Sequence, residues 1–445
     1  MPVSGTSITS SSDVVNAHIE KVNPNVPALY EKTSKLFSLF KASGQEEMIS
    51  EKLYRLSLKI RQGGNYGLVD RNAGTMNNGS GPVVEKMTAG YKSVELGFEL
   101  GDQSIFTSDS AEKSRLNTLE DVLSNAIEEM QVYDDIAFHQ DGTGKLTNAA
   151  SSGGTATLVF NSSTDTLKTG LLREGMHCRI YDASGSDFMA SDNQIKSIDP
   201  STHTVTFVSN LSEAGAVGDY LVITGITTNP PASFSANYPA TSLTADDFIH
   251  GLYYFNDYTS SNYVLGLLKS TYPQLMPVAI DADGNSLTFE FIQRVLDGLM
   301  TKRNEEDMGG LIGIAHMAQR SVILQQSSQI VSKFVQDSKI GSSVDLQPSN
   351  NTYSSTFDAC GLTFHPDKRQ RRDRIDIVNP SKWGRAVAEK LGFYKKGGTY
   401  LFEGRASTGA LKASTIIKLV QTYDNFSTDP GIGGVIYDLA IPTGY

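Results

Sequence analysis

The chain has 445 residues, enough for about three domains and for an apolar core that needs no disulfide or metal to hold it. Its formal net charge of −11 at pH 7 disfavours binding of nucleic acid over the whole surface. The sequence has only two cysteines, Cys178 and Cys360, which suits a reducing compartment. It shows no secretory leader pattern and no apolar run of the ~18 residues that span a membrane. These features together indicate a soluble protein.

The first 50 residues are rich in Ser and Thr and then amphipathic in short pieces, which indicates an extended arm with a helical segment. Two segments with alternating apolar residues follow. "RLSLKI" contains Leu56, Leu58 and Ile60, and "VELGFELG" begins with Val94. An apolar period of two predicts strands with one buried face, and we interpret these segments as the two arms of a long β-hairpin.

The stretch between these arms, "RQGGNYGLVDRNAGTMNNGSGPVV", holds six glycines. A phosphate-binding loop needs Gly-Lys-Ser/Thr or Gly-x-Gly-x-x-Gly between a strand and a helix, and neither pattern occurs here. The stretch is therefore interpreted as a polar hairpin tip that contacts another copy of the chain. The candidate contact residues are Gly63, Gly64, Tyr66, Gly74, Gly79 and Gly81.

A long amphipathic helix is predicted over "SAEKSRLNTLEDVLSNAIEEMQVYDDIAFHQ", ending at "DGTG". Its apolar stripe contains Leu116, Leu119, Val122, Leu123, Ala126, Ile127, Met130, Tyr133, Ile136 and Ala137. Residues 151–240 then carry five strand candidates, "ATLVF", "MHCRIYD", "NQIKSID", "TVTFVS" and "YLVITG". Short strands at this spacing predict a small inserted β-barrel or sandwich.

The remainder is predicted to be mixed. A helix contains Ile292, Val295 and Leu299, and strands are predicted at "GLIGIA", "GLTFH", "RIDIV", "TIIKLVQTY" and "GGVIYDLA". "DADGNSLTFE" places Gly284 and Glu290 two positions away from the spacing of a helix–loop–helix calcium loop, so we interpret it as a turn followed by a helix cap. The histidines and cysteines show no zinc spacing or nucleophile–base pattern.

"DKRQRRDR", residues 367–374, is the one dense basic run in the sequence. It is interpreted as a solvated turn between strands or as a source of ion pairs to a neighbouring chain. Contact with polynucleotide phosphate is less favoured, because the interleaved aspartates would repel phosphate and no aromatic residue interrupts the run for base stacking. The candidate inter-subunit contacts are Arg369, Arg371, Arg372 and Arg374.

The order of arm, glycine-tipped hairpin, long helix, β insertion and mixed domain resembles the major capsid proteins of tailed bacteriophages, whose fold is named after phage Hong Kong 97. The resemblance implies an α+β fold with an N-terminal arm (1–50), an extended β-hairpin loop (51–107) and a peripheral domain with a spine helix (108–150 and 411–445). It further implies an inserted β-barrel or sandwich domain (151–240) and a mixed axial domain (241–410).

The same resemblance implies a non-enzymatic subunit, without cofactor, metal or membrane, that assembles with itself into hexamers and pentamers of an icosahedral shell enclosing double-stranded DNA. Such a subunit would be assembled in the host cytoplasm and located in the virion capsid. A portal is implied, and so is a separate scaffolding protein, because the chain starts almost directly at the arm; a decoration protein can also be accommodated. No spacing identifies a lysine–asparagine crosslink.

Two alternatives remain. An encapsulin-like compartment shell is less favoured because such subunits are usually shorter and lack a barrel insertion. A multi-domain enzyme with a β binding module is less favoured still, because the sequence displays no convergent set of carboxylates.

Overall fold

The computed structural model of the chain describes residues 40, 45–48, 53–64, 66, 79–101, 126–151, 153–160, 171–181, 188–223, 248–303, 309–323, 325, 357–400, 402–405 and 411–442. The architecture within these ranges is mixed and rich in sheet, with few helices.

The strands in chain order are β1 (Gln45–Met48), β2 (Leu53–Arg61), β3 (Val83–Gly90), β4 (Lys92–Gly101), β5 (Lys145–Ser151), β6 (Thr157–Phe160), β7 (His177–Tyr181), β8 (Phe188–Asp199), β9 (Thr204–Phe207), β10 (Tyr220–Ile223), β11 (Tyr263–Val264), β12 (Leu267–Leu268), β13 (Val278–Asp281), β14 (Ile312–Ala315), β15 (Phe357–Ala359), β16 (Leu362–Pro366), β17 (Ile375–Val378), β18 (Trp383–Phe393), β19 (Phe402–Arg405), β20 (Leu411–Ser427) and β21 (Gly434–Tyr437). The helices are α1 (126–138), α2 (Leu252–Phe255), α3 (Phe289–Lys302) and α4 (317–323).

The longest strand, β20, is the centre of a five-stranded sheet. It pairs antiparallel with β4 on one edge and with β18 and then β19 on the other, and β1 adds parallel to β18. The second predicted apolar segment, "VELGFELG", lies here as β4, with Leu96 opposite Leu419. The prediction that it forms one arm of the hairpin is therefore wrong.

The hairpin instead joins β2 to β3, with Leu56 opposite Met87. β3 was not predicted from the sequence because a charged residue interrupts its apolar alternation. The side chains on its inward face are Val83, Glu85 and Met87. The apolar periodicity of β4 is stronger because the strand packs on the core that contains Leu391, Phe393 and Leu419.

The second large sheet has six strands in the order β13-β21-β17-β14-β16-β15. The predicted helix lies over it as α3, which buries Ile292, Val295 and Leu299. Thr288 is the N-cap of α3, and its side chain accepts a hydrogen bond from the Phe291 backbone N–H at 3.4 Å. The interpretation of "DADGNSLTFE" as a turn followed by a cap is confirmed.

The five predicted strand segments between 151 and 240 correspond to β6 to β10, and β5 precedes them. These six strands close into a barrel in the order β10-β5-β6-β9-β8-β7. Its core includes Leu158, Cys178, Ile180 and Val205. The barrel begins at β5, ahead of the predicted start at 151, because "KLTNAAS" pairs with β10 and β6 despite its polar sequence.

The two sheets also cross the predicted boundary at residue 410, in both directions. β18 and β19 fall within the predicted axial range 241–410, yet they pair with β20 of the predicted peripheral range. Conversely, β21 follows β20 in the chain but joins the six-stranded sheet between β13 and β17. Sequence position therefore does not separate the two sheets at residue 410.

Helix α1 contacts most of the molecule through different faces. Ile127 and Met130 pack on the five-stranded sheet, Ile136 enters the barrel core, and Phe138 packs beside Phe40 and Trp383. The predicted helical stripe is thus confirmed over 126–138, and its earlier part lies outside the described residues. Within the described part of the chain, no helix is long and apolar enough to cross a membrane.

Three consecutive residues of β20 join these elements through buried polar contacts. The Tyr423 hydroxyl donates to Asp134 of α1 at 2.7 Å. Asp424 accepts from the Lys92 ammonium of β4 at 2.9 Å and contacts His250 Nδ1 at 2.7 Å. The side-chain amide of Asn425 donates to the His250 carbonyl at 2.8 Å. One strand segment therefore holds a helix, a second strand and the loop before α2.

We expect Asp424→Asn to lower the free energy of unfolding by about 3 kcal/mol, because it leaves the charge of Lys92 without its buried counter-ion. Urea unfolding of the purified chain measures this change. Burial alone would raise the pKa of Asp424, but His250 and Lys92 outweigh it and hold the pKa below the ordinary 3.8. The stabilisation that ionised Asp424 contributes is thus complete above pH 3.8. It is lost as the pH falls through the pKa of Asp424 in the folded state.

Asp297→Asn is the matched control, since this aspartate lies on the exposed face of α3. Equal stability of the two variants at pH 7 would contradict the assigned role of Asp424.

Candidate assembly interface

The β2–β3 hairpin is fixed to the core at its root. Tyr54 packs against Phe426 with ring centroids 4.5 Å apart, and Met87 is fully buried. The Thr88 backbone N–H donates to the Leu265 carbonyl in the β11–β12 turn at 3.0 Å. These contacts set the direction in which the hairpin leaves the core.

Burial decreases along the hairpin away from this root. Leu56 and Leu58 are half-buried against the core, while Ile60 is half-buried but outside the described core clusters. Val84 on the opposite face is 52% exposed, and Tyr66 beyond the strands is fully exposed. Within the described residues β2 and β3 pair only with each other. A two-stranded sheet is marginal in water, and the described residues leave apolar side chains of this outer half exposed.

The exposed side chains of the hairpin are mainly basic. Among the described hairpin residues Arg55, Lys59, Arg61 and Lys86 are exposed, against one carboxylate, that of the half-buried Glu85. The whole chain carries a net charge of −11, so the hairpin has the opposite sign to the average surface of the protein. Opposite charge favours approach of this hairpin to another copy of the chain.

Two of the predicted glycines close the hairpin on itself. A Cβ at Gly63 would lie 2.4 Å from the Ser80 carbonyl oxygen, so only glycine allows the two segments to approach this closely. Gly64 has φ of +111° and donates its N–H to the same oxygen at 2.7 Å. By contrast, a Cβ at Gly79 or at Gly81 would meet open space.

Gly74 lies outside the described residues, and the contact role predicted for the glycine set remains a prediction. Conformational need accounts for the glycines at 63 and 64 without any neighbouring chain.

The basic run forms the connection between β16 and β17, which is the turn that the sequence predicts. Its predicted solvation is wrong for Arg369, Arg372 and Arg374, which are only 5%, 4% and 7% exposed. The Arg369 guanidinium contacts the carboxylate of Asp135 on α1. The run therefore packs into its own chain. No local pattern predicts this burial, because the acidic partner Asp135 is remote along the chain.

The carboxylate of Asp376 is the buried centre of this connection. It is fully buried and accepts from the Arg374 guanidinium at 2.7 Å, from the Gln370 amide at 2.6 Å and from the Asn256 amide at 2.9 Å. Burial lowers the pKa of Arg374, but Asp376 outweighs that effect and the pKa lies above its ordinary value. Arg374 also lies over the Tyr253 ring at 4.7 Å. These contacts make Arg374 a structural residue.

Arg371 is the member of the set with the most accessible side chain, at 39% exposure. Its guanidinium forms two hydrogen bonds to Asp373, at 3.0 and 2.7 Å, while its backbone N–H donates to the Tyr253 hydroxyl at 3.0 Å. The backbone is thus held in place and the charged end faces outward. The predicted inter-subunit contact of the basic run now rests on Arg371.

No family model matches the chain, and no curated protein does. Solved structures are similar to it over nine-tenths of both chains. The cyanophage A-1(L) capsid asymmetric unit is 11% identical, covering 91% of this chain and 92% of that chain with a TM-score of 0.48. The capsid of a native GTA particle is 7% identical (91% and 90%; TM-score 0.43), and the satellite phage P4 procapsid including size determination (Sid) protein is 8% identical (94% and 91%; TM-score 0.42).

These structures are phage and GTA capsids, and capsid proteins of tailed phages are the class that the sequence resembles. Likeness at this identity and TM-score transfers no site residue, partner or activity to the chain.

We expect Gly63→Ala to force apart the segments at 63 and 80 and to break the Gly64–Ser80 hydrogen bond. Loss of this hydrogen bond should lower the free energy of local opening at Gly64 by about 1 kcal/mol. Amide hydrogen exchange at Gly64 should then be roughly fivefold faster. The global free energy of unfolding should not change, because the closure lies outside the core clusters. Gly81→Ala is the control with open space around its new methyl group. Similar amide exchange at Gly64 in the two variants would contradict the role of Gly63 in the close approach to Ser80.

The basic run gives a second matched pair. We expect Arg374→Ala to lower the free energy of unfolding by about 3–5 kcal/mol, because it leaves Asp376 buried without its cation. Arg371→Ala removes a half-exposed ion pair and should cost less than about 1 kcal/mol. Urea unfolding of both variants measures the difference, and a larger loss from Arg371→Ala would reverse the assignment of the two arginines.

Proposed function

We propose that this chain is the subunit of a phage capsid shell, in which copies assemble into hexamers and pentamers of an icosahedral shell that encloses double-stranded DNA. The observation that carries the proposal is the β2–β3 hairpin. Its root is buried, while the described residues leave Val84 and Tyr66 of its outer half exposed and Ile60 only half-buried. The partner that covers it is a neighbouring copy of the chain.

Charge supports this choice of partner. A basic hairpin on a chain of net charge −11 is attracted to another copy, and every subunit can offer both surfaces at once. Contact between two different surfaces of the same molecule extends from subunit to subunit and closes into rings when the rotation permits. A self-complementary patch would instead stop at a dimer.

The other elements take corresponding roles in the proposal. The proposal keeps residues 1–50 as the expected arm and assigns the extended loop to residues 53–90 in place of 51–107. Helix α1 with the five-stranded sheet forms the peripheral part, and the six-stranded sheet with α3 forms the axial part. The barrel stands as an inserted domain. Packaged DNA, a portal and a separate scaffolding protein are the proposed partners, with room for a decoration protein outside.

The proposal predicts that the purified chain, supplied with its scaffolding protein where one is required, forms closed shells visible by negative-stain microscopy. Lys59→Glu combined with Arg61→Glu reverses the charge of the hairpin and should slow the rise of light scattering at least tenfold at low salt. The unassembled variant should unfold at the same urea concentration as the wild type, since both side chains are exposed.

Lys196→Glu is the control for Lys59→Glu alone, because this exposed lysine lies on β8 of the barrel and the two single substitutions change the charge equally. A chain that stays a homogeneous monomer with and without scaffold would overturn the proposed function. Equal slowing by the control would show that total charge, and not the hairpin, governs assembly.

A further inference from the structure

The C-terminal end of α1 meets the start of the basic run at a cluster that the shell function does not use. Asp135 and His139 lie one helical turn apart, and Asp367 faces them from the end of β16. One ligand atom from each of the three residues lies within 4.8 Å of the others. His139 is 1% exposed, while the side chains of Asp135 and Asp367 are 17% and 14% exposed.

Each of these side chains has a second polar atom that is already occupied. His139 Nδ1 lies 3.0 Å from the Asp135 carbonyl oxygen, which can only accept, so Nδ1 carries the proton and Nε2 has a free lone pair. Asp135 Oδ2 contacts the Arg369 guanidinium, and Asp367 Oδ1 accepts from the Arg369 backbone N–H at 2.7 Å. This arrangement is the one by which outer contacts orient the ligands of a metal ion.

The remaining atoms point into the cluster. His139 Nε2 and Asp135 Oδ1 are both buried without a hydrogen-bond partner, and Nε2 lies 3.9 Å from Asp367 Oδ2. The Arg369 guanidinium offsets part of the charge of Asp135. The ring nitrogen Nε2 and the facing oxygens of the two carboxylates still present only acceptors to one another, and a cation between them would satisfy all three.

We propose that Asp135, His139 and Asp367 bind a divalent transition-metal ion, Zn²⁺ or Mn²⁺, that ties the end of α1 to the β16–β17 connection. One imidazole with two carboxylates favours these ions over Mg²⁺ and Ca²⁺, which prefer ligands composed only of oxygen. The ligand atoms must move closer by about 1 Å, since atoms bound about 2.0–2.2 Å from an ion lie about 3–3.5 Å apart. The exposed edges of the two aspartates provide access for the ion and for water as a further ligand.

The test uses the full chain stripped with EDTA and then titrated separately with Zn²⁺, Mn²⁺ and Mg²⁺ in equilibrium dialysis. We expect saturable binding of one equivalent of Zn²⁺ or Mn²⁺ per chain, with an increase in Tm of a few degrees, and at least tenfold weaker binding of Mg²⁺. His139→Gln and Asp367→Asn should each weaken the binding at least tenfold and abolish the increase in Tm.

Asp367→Asn keeps the oxygen that accepts from Arg369, so it provides a folded variant even if His139→Gln destabilises the chain. The Tm of each variant without metal verifies that it is folded. His177→Gln, on β7 of the barrel, is the control for ion binding to a histidine elsewhere and should bind like the wild type. Absence of saturable binding by the wild type, or wild-type affinity in both cluster variants, would overturn the site.

Discussion

The described structure depends on a short buried polar segment near the C-terminal end of its longest strand, β20. Tyr423 and Asp424 of β20 are fully buried and Asn425 nearly so, and each makes a hydrogen bond to another element. Apolar packing alone would allow α1 and β4 to slide on the sheet, because it has little directional preference. Buried hydrogen bonds and ion pairs remove that freedom, since any shift leaves a polar atom without a partner. The same segment also fixes the loop before α2, so the orientations of three elements are set together.

Helix α1 and the β16–β17 connection carry this restraint from the five-stranded sheet to the six-stranded sheet. Asp134 of α1 bonds to Tyr423, and the next residue, Asp135, contacts Arg369. From there Gln370 and Arg374 reach Asp376 on β17. A line of charged and polar contacts thus joins the two sheets, while the described contacts of the hairpin with the core lie at its root. This arrangement agrees with the proposed contact between the hairpin and a neighbouring copy.

Much of this architecture could be predicted from the sequence, and the errors have physical causes. Strands such as β4 and β20, and helices α1 and α3, have strong apolar periodicity because each packs one face on a core. The second hairpin strand was missed because Glu85 interrupts its alternation, and β5 because its sequence is polar. The burial of Arg369 and Arg374 could not be predicted, because a run of alternating charges looks the same whether its partners are water, a neighbour or the same chain. The close approach at Gly63 likewise depends on a backbone atom 17 positions later in the numbering, which no local pattern shows.

The order of the strands along the chain has a consequence for biosynthesis. β4 cannot pair with β20 until β20 has been synthesised, and the contact between Lys92 and Asp424 spans 332 positions. β13 similarly waits for β21. The barrel strands, in contrast, are all contiguous between 145 and 223, so this unit can close while later strands are still on the ribosome. The newly made chain must therefore hold unpaired strand edges for most of its translation, and protection of those edges by chaperones becomes a requirement for yield.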